Sequence, residues 1–130
     1  MRLLAVDLGD KRTGLATGDT ETGSAFPIET LHIARGVALV QAVADAANEH
    51  GADAIVIGLP LNMDDSEGPR AAISRSFGEA VEAICKLPIH YQDERLTSFE
   101  AETRRRGQPT GPGSDAFAAV VMLEEFLATD

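Results

Sequence analysis

The chain has 130 residues, 44% of them hydrophobic, so residues 1–130 read as one domain with a core of its own. Its 21 acidic residues against 11 basic ones give a formal net charge of −10. That excludes a generic nucleic-acid-coating protein and a peripheral binder of anionic lipid, since both need a positive field.

Residues 2–8 (RLLAVDL) read as a buried strand that stops at Gly9. After the turn Gly9-Asp10-Lys11-Arg12, residues 13–17 form a second strand of small residues, and residues 26–33 a third, entered through Pro27. Residues 36–50 change period: Val37, Val40, Val43, Ala44 and Ala47 recur at helical spacing before Gly51. Residues 54–58 (AIVIG) are a strand of the parallel-sheet kind, and residues 59–69 a loop with Pro60, Asn62, Gly68 and Pro69. A helix follows over 70–86, with Ile73, Phe77, Ala80, Val81 and Ile84 on one stripe. Residues 87–92 make a fifth strand and 97–106 a short polar helix. After a break at 107–113 (GQPTGPG), Ser114 is placed to cap a last helix over 115–128.

Three leading strands followed by alternating helix and strand give an α/β fold, a mixed five-stranded sheet flanked by helices. That order is the layout of the ribonuclease H-like fold. The apolar start is broken by Arg2 and Asp7, so no signal peptide is read. No apolar run approaches the roughly 18 residues of a membrane span. The lone Cys85 cannot close an internal disulfide. The expected setting is therefore the cytoplasm, with no membrane partner.

The charge is uneven. Residues 19–53 carry a net −5, Asp64, Asp65 and Glu67 a further −3, and the tail from Asp115 −4, whereas residues 70–106 are net +1. Eight of the eleven positive charges are Lys11, Arg12, Arg70, Arg75, Arg95 and Arg104 to Arg106.

Three carboxylate positions invite chemistry. Asp7 ends an otherwise apolar strand, where an unpaired carboxylate is costly to bury. It either caps the Gly9 turn or holds a metal, since ligands of open α/β sheets gather at the carboxyl ends of strands. Asp93 and Glu94 follow the fifth strand in the same way. Asp115 opens the last helix, and Ala118, Ala119, Met122 and Phe126 follow it at core-facing spacings, which aims it at the sheet. The helix dipole alone also accounts for an acid there. Three converging carboxylates repel one another unless a cation lies among them, and oxygen-only donors suit Mg2+ or Mn2+. Such sites serve phosphoryl transfer, with two metals roughly 3.5–4 Å apart clamping the attacking and leaving oxygens.

The motifs then carry a family resemblance. Asp7-Leu8-Gly9-x-Lys11-Arg12-x-Gly14, Gly58-Leu59-Pro60-Leu61-Asn62-Met63-Asp64 with Ser66-Glu67-Gly68-Pro69-Arg70, and Asp93-Glu94-Arg95-Leu96-Thr97-Ser98 resemble the motifs of the YqgF family, in order and over essentially the whole chain. Its members are described as RuvC-like Holliday junction resolvases and are linked to maturation of the 5′ end of bacterial 16S ribosomal RNA. The resemblance implies a ribonuclease H-like fold and phosphodiester cleavage that depends on Mg2+ or Mn2+, with two ions. It implies catalytic Asp7, Glu94 and Asp115, and metal ligands Asp7, Asp93, Glu94 and Asp115, with Glu94 favoured over Asp93. The implied partner is branched DNA or an rRNA precursor, and a junction resolvase also implies a homodimer.

Three positions and one stretch depart from the family pattern. Asp65 stands where relatives usually have glycine, Asp10 where a neutral residue is common, and Glu124 where glutamine is usual. The stretch 107–114 lacks the basic residues that many members carry. A thinner basic patch argues against tight binding.

The expected nucleic-acid contacts are Lys11, Arg12, Asn62, Arg70, Arg95, Arg104 and Arg105. Lys11 and Arg12 sit on the turn after Asp7, within reach of a phosphate. Arg95 either does the same or pairs with Glu94, and the arginine cluster at 104–106 also offsets a helix dipole. The loop over 58–70 ends at a helix start, where free N–H groups can hold a phosphate. His32, His50 and His90 show no ligand spacing, and Cys85 reads as a packed thiol. With no tryptophan and only Tyr91 as tyrosine, base stacking is poorly supplied. Two other readings stand beside the nuclease. One is a non-catalytic nucleic-acid scaffold of the same fold. The other is an actin- or sugar-kinase-like phosphotransfer domain, whose first phosphate loop also begins Asp-x-Gly but which needs two such domains around ATP.

Overall fold

Leu3 to Val6 is an unbroken apolar run, the composition of a strand covered on both faces, and it lies at the centre of the sheet. A computed structural model of the chain describes residues 1–93 and 114–129. Its strands are β1 (Arg2–Asp7), β2 (Thr13–Asp19), β3 (Ser24–Leu31), β4 (Ala54–Leu59) and β5 (Ile89–Asp93). Its helices are α1 (Val37–Glu49), α2 (Pro69–Cys85) and α3 (Ser114–Thr129). The sheet order is β3-β2-β1-β4-β5, with β1, β2 and β3 antiparallel and β4 and β5 added parallel to β1. This is the mixed five-stranded sheet expected from the sequence.

The two-residue period of the strands divides the core in two. Leu4, Val6, Leu15, Ile55 and Ile57 meet Leu39 and Val43 of α1 and Phe77 and Val81 of α2. On the other face Leu3, Ala5, Ala16, Ala54 and Val56 meet Ala119, Val120, Met122 and Leu123 of α3. Each large aliphatic side chain taken fully out of water contributes about 1.5–3 kcal/mol. The alanines on the second face let α3 lie close to the sheet. Consistent with that, Ala116 to Leu123 are buried on all sides of the helix, not along one stripe.

Three expectations about packing are corrected. In α1 the buried residues are Leu39, Val43, Ala44, Ala46 and Ala47, while Val37 is exposed at the helix start. In α2 the buried stripe is Ala71, Ser74, Phe77, Gly78 and Val81, and Ala80 and Ile84 face solvent. The small residues turn inward because the helix approaches the sheet closely: a β-carbon on Gly78 would lie 2.3 Å from the Tyr91 hydroxyl oxygen and 3.2 Å from Ile57 Cδ1. Strands β2 and β3 are also longer at their shared hairpin than the sequence suggests, joined through Gly23 at φ 70°. Pro27 is accommodated because β3 is an edge strand and its register shifts opposite Leu15 and Ala16. The expected short helix over 97–106 and the break at 107–113 lie outside the described residues. Among the described residues no helix is long and apolar enough to cross a membrane.

Candidate active site

Asp7 is the last residue of β1, and alternation places it on the face of Leu3 and Ala5, the face covered by α3. It is half-buried. Directly opposite it in the antiparallel ladder stands Gly14. A β-carbon on Gly14 would lie 1.8 Å from the carbonyl oxygen of Asp115 and 2.6 Å from the backbone nitrogen of Ala116. The first turn of α3 therefore occupies the space that a side chain at position 14 would fill. This is how two residues 108 positions apart in the chain come to one strand end: Asp7 faces Gly14, and Gly14 backs onto Asp115. Opposed residues in such a ladder are about 4.5–5.5 Å apart at Cα.

The turn between β1 and β2 brings a cation to the same place. A β-carbon on Gly9 would lie 2.2 Å from the Arg12 carbonyl oxygen, so this turn closes only around glycine. The Gly9 N–H donates to the hydroxyl of the buried Thr13 at 3.4 Å. Arg12 Nε then stands 3.5 Å from Asp115 Oδ2. Arg12 is 63% exposed and Asp115 26%, so the pair is screened and contributes at most about 1 kcal/mol to stability. Its importance is positional: a guanidinium with further N–H donors sits at the mouth of the acidic site.

Asp93 ends β5 opposite Leu59 and alternates onto the face of Ile89 and Tyr91, which is the α1/α2 side. His90 points the other way, its ring 5.5 Å from that of Phe126 in α3. Asp93 therefore lies two strands from Asp7 and on the opposite face. Glu94, Arg95, Arg104 and Arg105 lie outside the described residues. Among the described residues no three acidic, histidine or cysteine side chains form a metal-holding group. Asp7 and the backbone of Asp115 flank Gly14, and their carboxylates offer oxygen alone, donor chemistry that fits Mg2+ or Mn2+.

The other expected contacts divide into available and committed groups. Lys11 is exposed on the turn, and Arg70 is exposed in the first turn of α2. Asn62 is exposed but braces its own loop: its amide donates to Ser66 Oγ at 3.0 Å, and its backbone N–H to the Ser66 carbonyl at 2.9 Å. Asp64 accepts the Ser66 hydroxyl and, at 3.0 Å, the Ser66 N–H, which hold its carboxyl below the usual range. Glu67 takes Arg75 in a two-pronged pair with both contacts at 2.7 Å. That guanidinium holds the Glu67 carboxyl below its usual range, and the carboxylate raises Arg75 in return. Arg75 also lies 4.8 Å over the Tyr91 ring, whose hydroxyl is pushed up chiefly by burial. Arg75 and Tyr91 thus tie the loop over 59–69 to α2 and β5. Cys85 is half-buried against the core, as expected of a packed thiol.

Sequence reasoning missed three residues. Gly14 could have been found by asking what stands opposite Asp7. Arg35, from the link before α1, pairs with Asp10. Ser74 is a buried hydroxyl in α2. The last two carry no local sequence signal.

A mixed sheet of this order, with one acid at the end of its central strand and another opening the last helix, defines the ribonuclease H-like class of α/β proteins. Solved structures agree in fold. The RuvC protein of T. thermophilus, in complex with a Holliday junction substrate, superposes with a TM-score of 0.65 at 12% identity, over 99% of this chain and 95% of its own. The fowlpox virus Holliday junction resolvase does so at 0.65 and 11% identity, over the whole of both chains. The chain belongs to the RuvX family, described as Holliday junction resolvase, which matches residues 1–129. A relative from Anaeromyxobacter dehalogenans, provisionally named a pre-16S rRNA nuclease, is 41% identical over 98% of this chain and 96% of its own.

Proposed function

We propose that the protein is a metal-dependent nuclease that hydrolyses phosphodiester bonds in structured nucleic acid. Asp7, Glu94 and Asp115 are assigned as the carboxylates that hold Mg2+ or Mn2+, two ions in the full site. Asp93, on the opposite face, is left an indirect role beside Glu94. The observation that carries this reading is the meeting of Asp7 and Asp115 around Gly14. A divalent cation held there supplies positive charge against the phosphate and eases ionisation of water. The chain's own groups do the rest. Asp7 and Asp115 present anionic oxygens from a strand end and a helix start that cannot move independently. The α3 dipole and the Arg12 guanidinium both bring positive charge to Asp115. Arg12 and Lys11 orient the phosphate from the adjoining turn.

The family description and the relative's name support two substrates, a four-way DNA junction and the 5′ end of a 16S rRNA precursor. Both fit a cytoplasmic protein, and symmetrical cutting of a junction calls for a homodimer. The test is cleavage of a four-way junction and of an rRNA precursor, side by side, in Mn2+ or Mg2+. Asp7→Asn is expected to abolish cleavage of the true substrate with an unchanged melting curve. Equal cleavage by the variant overturns the site, and binding without cleavage by the wild type overturns the nuclease in favour of a scaffold.

A further inference from the structure

A recess beside the end of β1 collects polar groups with hydrogen-bonding capacity that the fold leaves over. Leu8, Pro60 and Ile73 form its walls, and Arg35, Arg70 and Ser74 its polar lining. It encloses about 20 Å3, room for one oxygen atom. Ser74 lies in the second turn of α2 and is 4% exposed. Its hydroxyl has no hydrogen-bond partner among the described residues. A buried hydroxyl without a partner is destabilising, so its retention calls for a partner from outside the chain.

The remaining lining says what that partner is. Arg35 uses one N–H on Asp10, which leaves further donors on its guanidinium. Arg70 is the second residue of α2, which opens with Pro69 after Gly68 and has no side-chain cap. The start of α2, of which Arg70 lines the recess, therefore has neither a side-chain cap nor an acidic residue to offset the positive end of its dipole. Among the side chains lining it, only the Ser74 hydroxyl can accept a hydrogen bond, and none is a carboxylate. An anionic oxygen takes donors from every side of such a place. A water must also donate, and among these side chains only Ser74 can receive it.

We infer that this recess takes a phosphoryl oxygen of the nucleic-acid backbone, from a phosphate other than the one at Asp7 and Asp115. Leu8 directly follows Asp7, and alternation turns the two to opposite faces. A strand laid across the end of β1 thus meets the acids on one side and the recess on the other. The inference rests on the nucleic-acid reading above.

The experiment begins with metal-free protein melted in inorganic phosphate and in chloride of equal ionic strength. Wild type is expected to melt higher in phosphate. Ser74→Ala and Arg70→Gln are expected to abolish that increment, and Asp7→Asn to keep it. Ser74→Ala should itself raise the melting temperature in chloride by a few degrees, because it removes the orphan hydroxyl. The second arm is affinity for the cleaved nucleic acid, with Ca2+ in place of Mg2+. Ser74→Ala is expected to weaken binding 3- to 10-fold, and Arg70→Gln to lower the salt slope by about one. An equal phosphate increment in wild type and Ser74→Ala, or none in wild type, means that the recess holds water only and overturns the site. Loss of the increment with unchanged nucleic-acid affinity assigns the recess to free phosphate and overturns the backbone contact. Wild type that cleaves but gives no phosphate increment fails this inference alone. Wild type that neither cleaves nor binds nucleic acid fails the function proposed above.

Discussion

Gly14 yields its side-chain space to the backbone of Asp115: a β-carbon at position 14 would lie 1.8 Å from the Asp115 carbonyl oxygen and 2.1 Å from its carbonyl carbon. The nearest atoms are backbone, so no rotamer change relieves the clash. Gly14→Ala must either lift the first turn of α3 or push β2 out of register with β1. Either movement opens packing between α3 and the sheet, and the substitution is expected to destabilise the protein by at least about 3 kcal/mol. Any folded remainder should lose cleavage, because Asp115 no longer meets Asp7. Denaturant unfolding checks the first statement, and a variant within about 1 kcal/mol of wild type would show that α3 has slack there.

Gly78 makes the same kind of approach on the other face, against a side chain this time. In an exposed helix Gly→Ala stabilises by up to about 1 kcal/mol. Here the added carbon meets the Tyr91 hydroxyl oxygen at 2.3 Å, and Tyr91 is held under Arg75 with its hydroxyl donating to the Arg75 carbonyl at 3.4 Å. Gly78→Ala is expected to cost about 1–3 kcal/mol. Tyr91→Phe removes the atom in conflict, so the two changes together should cost less than their sum by about 1 kcal/mol or more. A double-mutant cycle measures that coupling. Additive effects would place the strain on atoms that phenylalanine leaves in place, Tyr91 Cζ at 3.1 Å and Ile57 Cδ1 at 3.2 Å.

These two glycines mark where the sequence stops being legible. The β1 and β4 runs announce themselves because each is buried on both faces and therefore uniformly apolar. The β-β-β-α-β-α-β order follows from the change of period after Ile33, and the positions of Asp7 at a strand end and Asp115 at a helix start are equally readable. The rotation of α2 does not follow. A stripe read from large apolar residues selects Ala80 and Ile84, whereas close packing turns Ser74 and Gly78 inward and leaves those two exposed. The face of Asp93 was in principle readable, since Ile89, Tyr91 and Asp93 share one parity. The pairing of Arg12 with Asp115, and of Arg35 with Asp10, joins residues far apart in the chain through the tertiary fold, and nothing local in the sequence announces it.

The loop over 59–69 should be sensitive to acid. Glu67 is held below its usual range by Arg75, and Asp64 by Ser66. A carboxyl whose folded value is depressed contributes stability that is fully present above its unfolded value, about 4, and is lost as pH falls through the folded value. Glu67→Gln is therefore expected to melt below wild type at pH 6 and to converge with it as the pH falls below about 4. Both groups are exposed, so the difference should also shrink at high salt. A gap that persists at pH 2.5 would mean that Glu67 acts by packing and not by its charge.

Asp65 is the one acidic residue in this loop held at positive φ, 70°. The family resemblance leads one to expect glycine here, and a positive φ favours that residue. A β-carbon in the left-handed region costs about 1–2 kcal/mol, which aspartate tolerates better than most residues. Glycine removes that strain but has more freedom to lose on folding, about 0.5–1 kcal/mol. Asp65→Gly is thus expected to be neutral to about 1 kcal/mol stabilising, whereas Asp65→Ala keeps the strain without aspartate's tolerance for it and should be destabilising. Melting temperatures should rank glycine above aspartate above alanine. The glycine variant also removes a negative charge from the loop that leads into Arg70, so its nucleic-acid affinity should rise at low salt and return to that of wild type at high salt. An alanine variant as stable as the glycine one would show that the backbone angle does not govern this position.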